Sequence, residues 1–455
     1  MQTALARLVY PLHEALMRRP TFDYLAELER SQWLDRASLE RLQMDKLRSL
    51  LQIAAAHCPW HARRIHAAGL DLGRPLTIED LRRLPTMDKS DAMAHRDELV
   101  WHGVPGGAYK YNTGGSSGQP LIFYFGRRRQ ASDAAGRMRA RRWWGVEPGE
   151  REVYLWGAPV ELNKTDRVKQ IRDRLLNQLV LNAFEMSPAR MDEYCQAIQS
   201  FRPRCIYGYA SSIALLAAHA RERGFAFRLP ELKVVCTTGE PLYPHQRELI
   251  EAVYGAPAAN EFGSRDIGFT AHESPGGQML LMSESVLLEV LDADGHPVAP
   301  GETGEAVMTG LESQAQPFIR YRTGDMVRMS PEADPAGRGL HVIAEVLGRK
   351  TDFLVRPDGT YMHALAGIYV LRAVEGVGEF KIVQHTADRL QVLVVGNDRW
   401  TDASRHAILD GLRQRMGEGV RIELERVDAI PPEASGKHRY VVSHVPLADA
   451  LRDAA

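Results

Sequence analysis

Asn112-Thr113-Gly114-Gly115-Ser116-Ser117-Gly118-Gln119-Pro120 contains six consecutive glycine or hydroxyl residues, Thr113 to Gly118. Glycine lets a backbone turn tightly and approach a ligand closely. Successive N–H groups in such a turn form a concave anion site, and Ser and Thr add short hydroxyl donors. From this stretch alone two readings are open: a loop that holds nucleotide phosphates, or a polar hairpin turn. It is not a P-loop, because Gln119 and Pro120 follow Gly118 where Lys and Ser/Thr are required. Gly114 to Gly118 also spells G-x-S-x-G, which would make Ser116 a hydrolase nucleophile, but that elbow must run straight into a helix. Here Pro120 is followed by Leu121-Ile122-Phe123-Tyr124-Phe125, a strand-type run.

Outward from the loop, strands and helices alternate. Gln130 to Trp144 is a helix candidate, and Glu152 to Trp156 reads as a buried strand. Asn177 to Phe184 is a further short element. Met191 to Ser200 is helical, Pro203 to Tyr209 is a strand into a turn, and Ser211 to Arg223 is a helix. Leu232 to Cys236 is a strand, and Pro244 suits the first turn of a helix to Tyr254. Such alternation predicts α/β layering with parallel strands. Residues 1–100 read as a mainly helical lead-in, with one helix ending at Cys58-Pro59. From Gln278 the period shortens, with strands at 280–282, 286–291 and 305–308 and turn signals at Asp294-Gly295 and Pro300-Gly301. A small β-barrel part is expected there. A boundary at Gly348-Arg349 divides a domain of residues 1–348 from a small α/β domain of residues 349–455.

The 455 residues are 44% hydrophobic and 25% charged, as in an ordinary globular protein. A net charge of −1 gives no electrostatic case for nucleic acid or an anionic membrane. The basic clusters Arg127-Arg128-Arg129 and Arg139 to Arg142 read as a solvated helix face. Four scattered cysteines form no C-x-x-C pair, so neither a zinc cluster nor a disulfide framework is expected. No signal peptide or membrane span is read, and the expected setting is cytoplasmic.

Several stretches carry chemistry only in combination. Asn260 to Gly268 is expected in a strand-end loop, where open α/β sheets bind ligands. Arg320-Tyr321-Arg322-Thr323-Gly324-Asp325 offers a carboxylate suited to ribose hydroxyls. Pro431 to Arg439 presents one lysine, Lys437, between Pro and Gly residues.

Taken in order, these stretches resemble the motifs of the adenylate-forming superfamily, and most closely its phenylacetate-CoA ligase-like group, including relatives encoded with capsule-polysaccharide genes. The order helix, His57-Cys58-Pro59-Trp60-His61, then Leu84-Pro85 to Lys89 supports that grouping. The resemblance implies that Thr113, Gly114, Gly115, Ser116, Ser117 and Gly118 hold phosphates, and that Gly239, Glu240 and Pro241 lie at the nucleotide base. Glu261, Phe262, Gly263, Ser264 and Arg265 would flank the nucleotide, with Phe262 on the adenine. Asp266 would sit near Mg²⁺, Asp325 would hold the ribose, and Arg349 would touch the nucleotide from the inter-domain hinge. Relatives often have Glu at Asp266, Ser or Thr at Arg265, and Asp or Lys at Thr351, so Arg265 and Thr351 depart from the pattern.

The implied fold is a large domain of layered α/β sheets followed by a small mobile lid domain carrying the catalytic Lys437, whose charge offsets that building at the α-phosphate. The implied reaction converts a carboxylate and MgATP to acyl-AMP and pyrophosphate, then passes the acyl group to CoA. An amine, a sugar hydroxyl or a carrier-protein thiol are alternative acceptors, and a nucleotide-binding protein without ligase activity is the rival outside enzymology. Trp156, Gly157, Tyr207, Gly208, Tyr209 and Thr238 are expected to line the acyl pocket, because they fall at strand ends, and their aromatic rings suggest an aryl or other compact acid. The sequence leaves the oligomeric state open, a homodimer being one option.

Overall fold

In the computed structural model the structure describes residues 2–112, 121–156, 172–183, 186–349, 353–358, 361–430 and 440–445. The chain divides into two compact units. The first comprises Met1–Val290, Ala299–Thr323 and Val327–Val346, and the second Leu291–Val298, Gly324–Met326 and Leu347–Ala455.

Helices open the first unit, and local chemistry sets their ends. Asp35 caps Arg36–His57 by accepting the Ser38 N–H at 2.7 Å. Cys58 ends that helix in extended conformation, and Pro59 starts Pro59–Ala67, as expected from Cys58-Pro59. Leu47, Leu50, Leu51 and Ala54 then bury one stripe of the long helix against Leu81, Leu84 and Ile319.

The centre is an eleven-stranded sheet. Five parallel strands lie in the spatial order Gln178–Asn182, Glu152–Trp156, Cys205–Tyr209, Val234–Thr238 and Ala258–Ser264. Gly268–Glu273, Met279–Leu281 and Val342–Arg349 continue it antiparallel. Tyr321–Met329, Thr303–Gly310 and Val286–Leu291 complete it. The strands expected as a small barrel therefore belong to the same sheet, because Met279–Leu281 pairs with Val342–Arg349 and joins the two parts.

One face of the parallel strands is covered by the helices Pro188–Phe201, Ala210–Glu222 and Pro244–Tyr254. Their Ile198, Ile213, Ala217 and Ile250 pack on Val153, Leu155, Ile206 and Val235. Ser187 and Pro188 start the first of these helices, and Gly255 in left-handed conformation ends the last. Arg127–Trp143 packs elsewhere on the sheet, and a Cβ at Gly136 would stand 2.7 Å from the Phe269 ring. Only glycine permits that approach of helix to strand.

The second unit has a four-stranded sheet in the order Arg421–Arg426, Arg389–Gly396, Val377–Thr386 and Val441–Ser443. Phe380 and Ile382 alternate with exposed or half-buried neighbours, as do Leu390, Val392 and Val394. Helices Ala364–Arg372 and Asp402–Met416 accompany this sheet, the latter burying Ile408, Leu412 and Met416. Among the described residues no helix is long and apolar enough to cross a membrane.

Candidate active site

Sheet topology places the site. From Glu152–Trp156 the chain goes to Gln178–Asn182 on one side, then returns past it to Cys205–Tyr209 and Val234–Thr238 on the other. Strands 152–156 and 205–209 are thus neighbours whose onward connections run in opposite directions. Open α/β sheets bind ligands at the carboxyl ends of such strands. Trp156 and Tyr209 end these strands and stack, with ring centroids 4.4 Å apart and planes 16° apart. Tyr207 lies 5.8 Å from Trp156 on the same face. Gly208 between the two tyrosines has a packing role as well, since a Cβ there would stand 2.3 Å from the Leu155 carbonyl oxygen.

A buried polar network continues from the aromatic rings. Tyr207 donates its hydroxyl to Glu261 Oε1 at 2.9 Å, and Thr238 donates to the same oxygen at 3.0 Å. Register brings them together, because Tyr209 pairs with Thr238 and Thr238 with Glu261 across neighbouring strands. Arg137 reaches the group from helix 127–143, its Nε 3.7 Å from Glu261 Oε1. Nearer the strand beginnings, Glu152 accepts from Arg141 at 2.5 Å and from the Tyr154 hydroxyl at 2.8 Å. Burial and then the Glu261 charge push the Tyr207 hydroxyl well above its ordinary pKa, so it remains a donor. Burial opposes the charge on Arg137, yet Tyr207, Glu261 and Asp133 outweigh it and hold the guanidinium protonated.

Arg129, Asp133, Arg137 and Arg141 recur every four residues, which places them along one side of the helix. Arg129 donates to the backbone carbonyls of Arg265 and Asp266, fixing the turn after Ser264. Asp133 accepts the Phe269 N–H at 3.1 Å. The reading of the basic clusters as a solvated face is therefore corrected: Arg129, Arg139 and Arg141 are buried. Arg139 is fully enclosed on Glu284, at 2.5 Å. Such charges are tolerated inside because each meets a carboxylate or carbonyl. The spacing 129-133-137-141 was the available signal; composition alone hid it.

The other expected residues fall as follows. Asn260 to Ser264 lies within a strand rather than a loop, with a bulge between Phe262 and Gly263. Pairing with Val234–Thr238 on one side and Gly268–Glu273 on the other extends it. The turn comes later, closed by Ser264 Oγ accepting the Ile267 N–H at 3.2 Å. Phe262 is half-buried and Asp266 buried. The Asp266 carboxylate accepts no hydrogen bond among the described residues. Arg265 hydrogen-bonds the Tyr209 hydroxyl, whose pKa burial raises against that bond and charge. Gly239 has φ +76°, and Pro241 follows Glu240, whose carboxylate accepts the Ser211 N–H at 2.9 Å at the start of helix 210–222. Asp325 is buried in strand 321–329, after Gly324 at φ +77°, and belongs to the second unit. Arg349 ends strand 342–349. The strands Tyr109–Asn112 and Ile122–Phe125 pair antiparallel, Asn112 opposite Ile122. Thr113 to Gly118, Gly157, Thr351 and Lys437 lie outside the described residues. The described residues hold no cluster of three or more His, Cys, Asp or Glu side chains suited to a metal.

Comparison with known proteins agrees with this architecture. Residues 354–444 match the family model of the CapK C-terminal domain. Protein CapK of Staphylococcus aureus is 23% identical over 377 residues, 82% of each chain. The phenylacetate-coenzyme A ligase of Thermus thermophilus is 24% identical over 444 residues, covering 90% of this chain and 95% of the relative. A crystal structure of 2-hydroxyisobutyryl-CoA ligase in the postadenylation state, complexed with 2-HIB-AMP, superposes with a TM-score of 0.69, 23% identity and 93% coverage of both chains. The chain is a homologue of CapK and of the phenylacetate-CoA ligases, with the mixed α/β fold of the adenylate-forming CoA ligases.

Proposed function

We propose that the protein is an AMP-forming acid–CoA ligase. It joins a carboxylic acid to ATP as an acyl-adenylate with release of pyrophosphate, then transfers the acyl group to the CoA thiol. The alignment with a phenylacetate-coenzyme A ligase across nine-tenths of both chains carries this reading. The aromatic and polar cluster at the carboxyl ends of strands 152–156 and 205–209 supplies the place for the acid.

The residues fit the division of labour that adenylation needs. Trp156 and Tyr209 present stacked rings for the acyl part, and Phe262 is half-buried on the neighbouring strand for the adenine. The Asp266 carboxylate is buried within range of the Arg129 charge and accepts no hydrogen bond among the described residues, so its oxygens keep lone pairs for a cation. Asp266 would thus hold Mg²⁺, which when bound neutralises phosphate charge. Thr113 to Gly118 hold the phosphates, Asp325 the ribose, and Lys437 offsets the charge that builds between carboxylate and α-phosphate. Residues 1–348 then form the adenylation domain and residues 349–455 the domain bearing Lys437.

The test is ATP–pyrophosphate exchange without CoA across aryl, fatty, hydroxy and amino acids, followed by CoA-dependent release of AMP. Exchange confined to one acid class is the expected outcome. ATP binding with no acid-dependent exchange would sink the ligase reading, and AMP release indifferent to CoA would move the acceptor to an amine, a hydroxyl or a carrier thiol.

A further inference from the structure

We infer that Arg137 and Glu261 form a recognition pair for a hydroxyl group on the acyl chain, which makes the acid a compact hydroxy acid, aliphatic or hydroxyaryl. The inference rests on the adenylation reading and narrows its substrate.

The geometry is that of an unfilled donor beside a partly filled acceptor. The Arg137 guanidinium donates no hydrogen bond among the described residues, and its Nε is buried without a partner. Glu261 Oε1 already accepts from Tyr207 and Thr238 and stands 3.7 Å from Arg137 Nε, beyond hydrogen-bond length. Glu261 Oε2 accepts no hydrogen bond among the described residues. Nε is itself enclosed, so a ligand would meet the outer guanidinium nitrogens and Glu261 Oε2, adding hydrogen bonds that these groups do not make among the described residues.

Placement links the pair to the acid. Tyr207 and Thr238 bind Glu261 directly, and Tyr207 lies against Trp156 at the strand ends. The Arg137 side chain is 36% exposed although Glu261, Tyr207 and Phe269 beside it are all buried. The exposed part lies beyond the enclosed Nε, and we assign it to the crevice that Tyr207 and Trp156 border.

The chemistry selects one substituent. A hydroxyl accepts from the guanidinium through oxygen and donates its proton to the carboxylate, filling both groups at once. A second carboxylate on the acid would be repelled by Glu261. A ketone would leave Glu261 unfilled, and a plain methyl or phenyl edge would leave both unfilled. Sites built to hydrogen-bond a hydroxyl reject the analogue without it far more strongly than apolar pockets reject size changes.

The test is ATP–pyrophosphate exchange with matched acids, 4-hydroxyphenylacetate against phenylacetate and 3-hydroxybutyrate against butyrate. In the unmodified protein one hydroxy acid should exceed its partner in kcat/KM by about 100-fold or more. Arg137→Met should bring that ratio to within a few-fold, chiefly by raising KM for the hydroxy acid while KM for ATP holds. Arg137→Lys, which keeps a donor and the charge, should fall between. Exchange that favours the deoxy acids overturns the hydroxyl assignment and leaves adenylation standing. No exchange with any acid despite ATP binding removes both. A preference that survives in Arg137→Met removes the role of Arg137, and the comparison of matched acids stands even if that variant does not fold.

Discussion

The helices of the first unit meet the parallel strands through two kinds of surface. The helices 188–201, 210–222 and 244–254 meet them through Ile, Leu, Val and Ala. Helix 127–143 meets the sheet through Arg129, Asp133 and Arg141, each answered by a carboxylate, a carbonyl or a backbone N–H, and through Arg137, 3.7 Å from the Glu261 carboxylate. The first kind of contact is non-directional and tolerates repacking. The second works only when donors and acceptors match in place. The difference teaches where to look for chemistry: a layer that could have been apolar and is instead charged is there for something besides stability.

Three experiments sharpen or break that contrast. The largest effect is expected at the enclosed pair beneath helix 127–143. Arg139→Met leaves Glu284 buried and unpaired, and should cost about 3–5 kcal/mol in a denaturant titration at pH 7. Its pH dependence is diagnostic. Burial alone would raise the Glu284 pKa, but Arg139 outweighs it and holds the carboxyl below its ordinary 4.5. In the unmodified protein this contribution is present above the ordinary value and lost as pH falls through the depressed folded value. In Arg139→Met the guanidinium is gone, burial raises the pKa, and the deficit should shrink as pH falls. A deficit constant with pH would mean lost packing rather than an uncompensated charge.

On the apolar side, Ile198→Ala should cost about 2–5 kcal/mol and leave acid preference unchanged. Ile198 lies in the helix that precedes strand 205–209, towards the start of that strand and away from the crevice. A shift in acid preference in the exchange assay would show that the faces are coupled. The smallest stability effect belongs to Tyr207→Phe, which removes one hydrogen bond from Glu261 and should cost about 1–2 kcal/mol. Its signature is functional instead: KM for the acid should rise several-fold with KM for ATP unchanged. An unaltered KM for every acid would detach the network from the substrate.

Much of the fold was legible because local rules and tertiary packing agree. Cys58-Pro59 and Pro244 mark helix boundaries wherever the chain is placed, since proline acts within its own turn. Buried runs such as Glu152 to Trp156 and Cys205 to Tyr209 announced parallel strands. Two readings went otherwise for physical reasons. Asn260 to Ser264 reads as a polar Gly-containing loop, but partners on both sides extend it into a strand. The strands after Gln278 read as a small β-barrel part of the large domain, and Met279–Leu281 joins them to the main sheet through Val342–Arg349, some sixty residues away, a pairing that no local pattern encodes.

The sequence by itself determined the motifs, the helix ends and the aromatic residues at strand ends, because these depend on residue type and short spacing. Tertiary structure alone decided which charges are buried and what they face. Arg137 lies between two basic clusters that read as a solvated surface, and only strand register brings Tyr207, Thr238 and Glu261 beneath it. A guanidinium's role follows from the acceptors around it, and those come from strands 205–209, 234–238 and 258–264, up to 124 positions further along the chain.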